Sequence, residues 1–447
     1  MPFATHYAQH IERLQALYTD ALLATGHFDA VLIHSGSARY HYADDQTPPF
    51  RAYGHFSHWL PVNRPEQVVL ILPGQTPVYF QVVPRDFWYE QTAHLDDWVR
   101  SQWHVHTLER SQGVADALQG LSGVDIPPLA RIAFLGENTP FATAIGLPPE
   151  SHNPSALLHW LDFQRAVKSE YEVACIRAAN RLALQGHTAA RHAFEAGGSE
   201  YAIHMAYLQA CHILDEETPY TNIVALDEKA AILHYQNKRR QSGEHSQVLL
   251  IDAGCKTHGY CSDITRTWTR PHTDPRFVAL VDAMNELQQG LIERVRPGIP
   301  YPDIHVACHE GITDILLQSG LCHGSAEELL AHKVSTLFMP HGVGHLLGIQ
   351  VHDVGGRLKN ARGETQTPPP EYPSLRTTRS TAVGQVFTIE PGLYFIPVLL
   401  EPERSSARGK FINWGLVDEL TPLGGIRIED NVLVTAGGVE NLTRVRI

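Results

Sequence analysis

The chain has 447 residues, 43% of them hydrophobic and 19% charged, which exceeds one ordinary domain and supplies material for about two or three. A formal net charge of -13 excludes a nucleic-acid-binding protein, whose affinity rests on clustered Lys and Arg, and favours the handling of small molecules. No apolar run reaches the roughly 20 residues that a bilayer crossing needs, so no membrane role is expected.

The opening MPFATHYAQHIERL shows no basic leader followed by an apolar core. The six cysteines (Cys175, Cys211, Cys255, Cys261, Cys308 and Cys322) form no CxxC pair, which suits buried thiols in a reducing cytoplasm. Ile11, Leu14, Tyr18 and Leu22 recur at helical spacing, and Gly26 ends that helix. FDAVLIHSG (28–36), QVVLILPG (67–74), VYFQVV (78–83) and RIAFLGEN (131–138) are β-rich runs closed by turn residues. Strands interleaved with helices predict an α/β amino-terminal domain over 1–158, closed by the Pro-rich IGLPPESHNPS (145–155).

The remainder, 159–447, reads as a second, α+β domain. Ser169 with Glu172 forms a capping box for a long helix carrying Val173, Ile176, Ala179 and Leu182. A second helix starts near Ser199, with Ile203, Tyr207 and Cys211 on one stripe. Four strand-like runs follow: QVLLIDAG (247–254), GYCSDITRTW (259–268), QVFTIEPGLYF (385–395) and GIRIEDNVLV (425–434). Arg357 to Gly384, polar and Pro-rich, predicts a long loop.

Carboxylates fall inside these runs. Asp252 ends VLLID, where a buried strand should carry another aliphatic. Asp263 lies eleven residues on, in the next strand, and the intervening AGCKTHG suits a hairpin-like return that sets both aspartates on one face. Glu390 closes VFTIE, and in GIRIEDN alternation puts Arg427 and Glu429 on one face, Ile426 and Ile428 on the other. Burying an isolated carboxylate costs roughly several kcal/mol, so each requires a cation, a donor cluster or a metal. Arg266 and Arg427 could serve as partners one acid at a time. PHGVGHLLGIQVHDVG (340–355) adds His341, His345 and His352, in a segment whose bland alternative is a helix of satisfied core histidines. Four acids with an imidazole suit two divalent cations about 3.5–4 Å apart. An oxygen-rich shell favours Mn, Co or Zn, and Cys255 and Cys261, out of step with it, read as structural.

The ordered stretches LLIDAGxxxxGYxxDITRTW, PHGxGHxLGxxVHD, TIEPGLYF and GGIRIEDN resemble the metallopeptidase family that includes proline dipeptidases, aminopeptidase P and methionine aminopeptidase. Within it they resemble the bacterial Xaa-Pro dipeptidase branch, which also includes organophosphorus acid anhydrolases. The likeness is strong from Thr218 to Arg444 and looser at the DDQ…PF…WLPV pattern (44–62). It implies a "pita-bread" catalytic domain, a creatinase-like amino-terminal domain and a homodimer. It implies two divalent ions per subunit, Mn with Co or Zn as alternatives, held by Asp252, Asp263, His345, Glu390 and Glu429, with Asp263 and Glu429 bridging. It further implies a bridging hydroxide that cleaves dipeptides with carboxy-terminal proline, Glu390 moving the proton, and His341 and His352 assisting. Arg427 would meet the substrate carboxylate, His234 and Tyr220 would line its pocket, and Asp45 of a neighbouring subunit would meet its amino end. The wording DDQTPPFRAYGHFSHWLP departs from the family there, and STAVGQVFTIEPG lacks the frequent Pro-Gly before the strand. Competing readings are phosphotriester hydrolysis as a main or side activity, aminopeptidase P, and a metal-free binding platform.

Overall fold

The computed structural model describes residues 2–91 and 94–444. Two compact units emerge, one taking the chain through Arg165 together with Ser169–Ala174 and Asn360–Glu364, the other Ala166–Lys168, Cys175–Lys359 and the chain from Thr365 onward. The first unit thus extends past 158, because the helix Ser155–Arg165 packs against the helix Pro2–Thr25. Among the described residues no helix is long and apolar enough to cross a membrane.

The first unit carries a five-stranded mixed sheet of β1 (Ala30–His34), β2 (Val68–Ile71), β3 (Val78–Val82), β4 (His104–Leu108) and β5 (Ile132–Leu135), in the order β4-β3-β2-β1-β5. The four apolar strands match the four β-rich runs of the sequence. β4, HVHTL, is mostly polar and exposed at the sheet edge and lacks the aliphatic run that marks the others. The Pro2–Thr25 helix stops at Gly26, whose φ of +68° only glycine adopts without strain. The helix Glu170–Glu195 begins with the expected capping box: Ser169 N–H donates to Glu172 Oε2 (2.8 Å) and Glu172 N–H to Ser169 Oγ (3.4 Å).

In the second unit, β6 (Ile223–Leu226), β7 (Val248–Asp252) and β10 (Thr265–Thr269) form an antiparallel sheet in the order β10-β7-β6. The short hairpin β8 (Lys256–Thr257) and β9 (Tyr260–Cys261) stands between β7 and β10. β11 (Val386–Ile389) pairs with β14 (Asp430–Thr435), β14 with β15 (Gly438–Asn441), and β12 (Gly392–Tyr394) with β13 (Gly425–Arg427), all antiparallel. Each of the three later strand-like runs is therefore interrupted, and the interruptions fall on Asp263, on Glu390 with Pro391, and on Ile428 with Glu429. This corrects the expected pairing of the aspartates. Asp252 faces Thr265 across the ladder, while Asp263 precedes β10 in irregular chain. A carboxylate at a break can turn into a cavity without forcing the next residue of a continuous strand into solvent.

Helices Pro275–Arg294 and Tyr301–Gln318 cover these sheets, and their apolar faces join Ile389, Leu393, Ile426, Ile428 and Val432 in the largest core. Ile426 and Ile428 sit in that core while Arg427 and Glu429 face the other way, so the period-two alternation persists through the break. Residues 340–355 are irregular, not helical. Next to His352, Asp353 Oδ2 meets Lys168 Nζ at 2.7 Å, with both side chains at most 1% exposed. Lys168→Met should destabilise the unit by about 3–5 kcal/mol in urea unfolding, because Asp353 is left buried without its cation, and adding Asp353→Leu should recover part of the loss. Equal stability of Lys168→Met and wild type contradicts this.

Candidate metal centre

A cavity of about 320 Å³ in the second unit is lined by Asp252, Asp263, His341, His345, His352, Glu390, Arg427 and Glu429, with His234, Ser374 and Arg376 at its sides. Asp252 arrives at the end of β7, Asp263 before β10, Glu390 after β11 and Glu429 between β13 and β14. His345 comes from the irregular segment, which lies along β11: Thr388 N–H donates to His345 O (2.9 Å) and Glu390 N–H to Val343 O (2.8 Å). Gly344 permits that approach, since a Cβ there would stand 2.0 Å from Thr388 O. The glycine thus serves contact with the strand.

His345 Nδ1 lies 3.0 Å from Leu346 O, an acceptor only, so Nδ1 carries a proton and Nε2 is presented to the acids. Nε2 is 3.3 Å from Asp263 Oδ2 and 3.6 Å from Glu390 Oε1. One ligand atom each of Asp263, His345 and Glu429 lie within 4.8 Å of one another. Burial, then the charges of Asp263 and Asp252, push Glu390 up to about 7. Burial and the surrounding carboxylates hold Glu429 well above the ordinary range, and burial raises Asp252 against the pull of Arg427. Asp263 is buried too, yet its hydrogen bond to His345 keeps it below that range.

Among the described residues Arg427 is the one guanidinium that forms an ion pair with one of these acids: its Nη2 meets Asp252 Oδ2 at 2.7 Å. Its other donors go to Thr265 Oγ1 (3.1 Å) and Tyr394 Oη (3.0 Å). Arg266 is directed away from the cavity, onto Asp430 (2.6 Å). One guanidinium for four clustered acids leaves the remaining charge to be balanced by protons or by a bound cation. Among the described residues Asp252 Oδ1 is buried without a hydrogen-bond partner of normal geometry, and the buried Tyr220 hydroxyl lies beside Asp252, Asp263 and Glu429. Oxygen donors with one imidazole nitrogen, an orphaned carboxylate oxygen and excess charge fit divalent cations.

Residues 174–436 match Metallopeptidase family M24, and residues 5–163 match the Xaa-Pro dipeptidase N-terminal domain. An Xaa-Pro dipeptidase of Pseudoalteromonas atlantica is 42% identical over 442 residues, covering 98% of this chain and 97% of that protein. One from Marinobacter nauticus is 44% identical over 439 residues, covering 97% and 96%. The chain belongs to metallopeptidase family M24. Among solved structures, aminopeptidase PepP of Pseudomonas aeruginosa aligns with a TM-score of 0.72 at 26% identity, covering 98% of this chain and 94% of that one. Escherichia coli aminopeptidase P with the inhibitor Pro-Leu gives 0.71 at 24%, covering 98% and 95%, and shows likeness of fold. The M24 fold is the α/β plus pita-bread architecture that the resemblance implied.

Of the other residues singled out in this M24 sequence, His341, His352 and His234 reach the cavity wall. The His352 ring stands edge-on to His345, centroids 4.4 Å apart. His341 is held at both nitrogens, Nδ1 donating to Gly342 O (2.8 Å) and Nε2 accepting from Tyr394 Oη (2.9 Å). Asp45 belongs to the first unit, in an exposed loop where Oδ1 accepts from the Gln46 amide (3.0 Å). Sequence reasoning missed Arg376 and Tyr394. Arg376, carried on the long loop, is exposed and lines the cavity, and it has no ion pair among the described residues. Tyr394 joins Arg427 to His341, and Gly392 and Gly425 leave space for its ring. The GLY of TIEPGLYF was the only signal for it.

Binding of a divalent cation must displace the protons that Glu390, Glu429 and His345 hold. Lowering the pH through about 7, where Glu390 takes up its proton, should therefore weaken Mn²⁺ binding in calorimetric titrations and increase the protons released. An affinity constant from pH 8 to pH 6 contradicts the assignment.

Proposed function

We propose that the protein is an Xaa-Pro dipeptidase, cutting dipeptides with proline at the carboxy terminus, with two divalent ions per subunit held by Asp252, Asp263, His345, Glu390 and Glu429. The convergence of four carboxylates and His345 on one cavity carries this reading, supported by relatives called Xaa-Pro dipeptidase over nearly the whole chain. Manganese is the proposed ion, and a cytoplasmic homodimer, with Asp45 of one subunit serving the other's site, the proposed form. The proposed domain roles are site capping and dimerisation for the amino-terminal domain and catalysis for the other.

Bound divalent ions supply Lewis acidity, which makes hydroxide available near neutral pH and polarises the amide carbonyl. The chain's own groups do the rest. Glu390 is the residue proposed to take the proton of the attacking water and return it to the leaving group. In an Xaa-Pro bond the proline nitrogen bears no hydrogen, so its departure depends on that proton. His352, exposed at the cavity wall, is free to hydrogen-bond substrate, while His341 is tied to Tyr394 and acts by fixing the Arg427–Tyr394 pair.

A second cation is proposed for substrate recognition. Arg427 commits three of its five N–H groups to Asp252, Thr265 and Tyr394, and the exposed Arg376 at the cavity is the cation proposed to hold the proline carboxylate, with His234 and Tyr220 flanking the substrate.

Metal-loaded protein should hydrolyse Ala-Pro in preference to Ala-Ala-Pro, and a preference for the tripeptide or no turnover at all contradicts the reading. Asp263→Asn should lower kcat/KM by more than about a hundredfold, beyond what loss of an outer hydrogen bond costs. Arg376→Ala should raise KM for Ala-Pro and leave Ala-prolinamide, which has no carboxylate, unaffected. Equal effects on both substrates refute its role.

A further inference from the structure

Asp263 sits in the break before β10, where its backbone has no ladder partner. Both of its main-chain groups are taken by one side chain: Asp263 N–H donates to Asn431 Oδ1 (3.0 Å), and Asn431 Nδ2 donates to Asp263 O (2.5 Å). A carboxamide offers an acceptor and a donor side by side, as a neighbouring strand would, and the two bonds fix its orientation. Asn431 is anchored in turn. Its N–H donates to Thr443 Oγ1 (2.9 Å), whose hydroxyl donates to Asn180 Oδ1 (2.8 Å), and all three residues are at most 1% exposed.

Across the β11–β14 ladder Asn431 faces Thr388, which performs the same service for two other acid- and imidazole-bearing segments. His345 N–H donates to Thr388 Oγ1 (3.1 Å), Thr388 N–H to His345 O (2.9 Å), and the Thr388 hydroxyl to Glu390 Oε1 (3.3 Å). The pairs deeper in this ladder, Phe387 with Val432 and Val386 with Leu433, are apolar. A buried polar pair costs desolvation that an aliphatic pair avoids, so strand pairing alone gives no reason for it.

We propose that Asn431 and Thr388 are the positioning residues of the metal centre, Asn431 setting Asp263 and Thr388 setting His345 and Glu390. The proposal rests on the metal-centre reading above and concerns residues that touch neither substrate nor ion. Three of the five ligands then take their mutual spacing from one cross-strand pair.

The test uses the full chain bearing Asn431→Asp, Thr388→Val or Thr388→Ser. Asn431→Asp keeps the acceptor for Asp263 N–H but sets an oxygen against Asp263 O. Thr388→Val removes the hydroxyl at constant shape, and Thr388→Ser restores it. Measured are the Kd for Mn²⁺ by titration of chelator-treated protein, the thermal midpoint of that apo protein, and kcat and KM on Ala-Pro. Asn431→Asp and Thr388→Val should raise the Mn²⁺ Kd about 10–100-fold. They should lower kcat with KM unchanged, and Thr388→Ser should restore both. Folded variants that bind Mn²⁺ with the wild-type Kd overturn the proposal, even if their apo stability has fallen, since that marks a merely structural role. If Asn431→Asp does not fold, Thr388→Val against Thr388→Ser decides by the same readings. A wild-type chain that binds no Mn²⁺ sinks the metal reading and this proposal together, whereas unchanged variants of a metal-binding wild type sink only this one.

Discussion

Burial of four carboxylates together in one cavity is the constraint that shapes the second unit. Burial first, and then the charge of the neighbouring acids, holds Glu390, Glu429 and Asp252 above the usual carboxylate range. Arg427 pairs with one of them and His345 Nε2 stands 3.3 Å from another. A fold gains nothing in stability from such a cluster, since apolar replacements would pack without desolvation cost. Its retention points to a ligand that carries the missing positive charge.

The sheets meet this constraint by breaking. At Asp263, at Glu390 and at Glu429 the strand stops, the side chain turns into the cavity, and the backbone groups left without a ladder partner are caught elsewhere. Glu429 N–H donates to Thr265 O (3.0 Å), Asp263 is held by Asn431, and Arg266 donates to Glu429 O (2.7 Å). Arg427, Tyr394 and His341 form a chain of hydrogen bonds from Asp252 to the far wall. The side chains proposed as ligands stand mostly at breaks beside the strands and are held there by buried contacts, which is the condition for a preorganised site.

Much of this was legible in the sequence because acids inside apolar runs contradict the strand pattern. Asp252, Asp263, Glu390 and Glu429 stand out in that way, and all four reach the cavity with His345. The Ser169–Glu172 cap and the Gly26 stop are local chemistry, and both appear as expected. The interruptions could not be read, because DITRTW and IRIEDN alternate correctly straight through the break. Nor could the partner of Arg427: Glu429 and Asp430 are near in sequence, yet Asp252, 175 residues away, receives it. Arg376 lies in a polar Pro-rich loop without periodicity, so only three dimensions bring it to the cavity. β4 was lost for a similar reason, its histidines hiding an edge strand that parallel pairing to β3 secures.

Anomalous diffraction at the manganese absorption edge, from crystals of the Mn²⁺-loaded protein, tests the central claim most directly. The account predicts two peaks in the cavity, about 3.5–4 Å apart, with Asp263 and Glu429 each touching both. No peak among the five side chains, or a single ion bound away from Asp263 and Glu429, would contradict it.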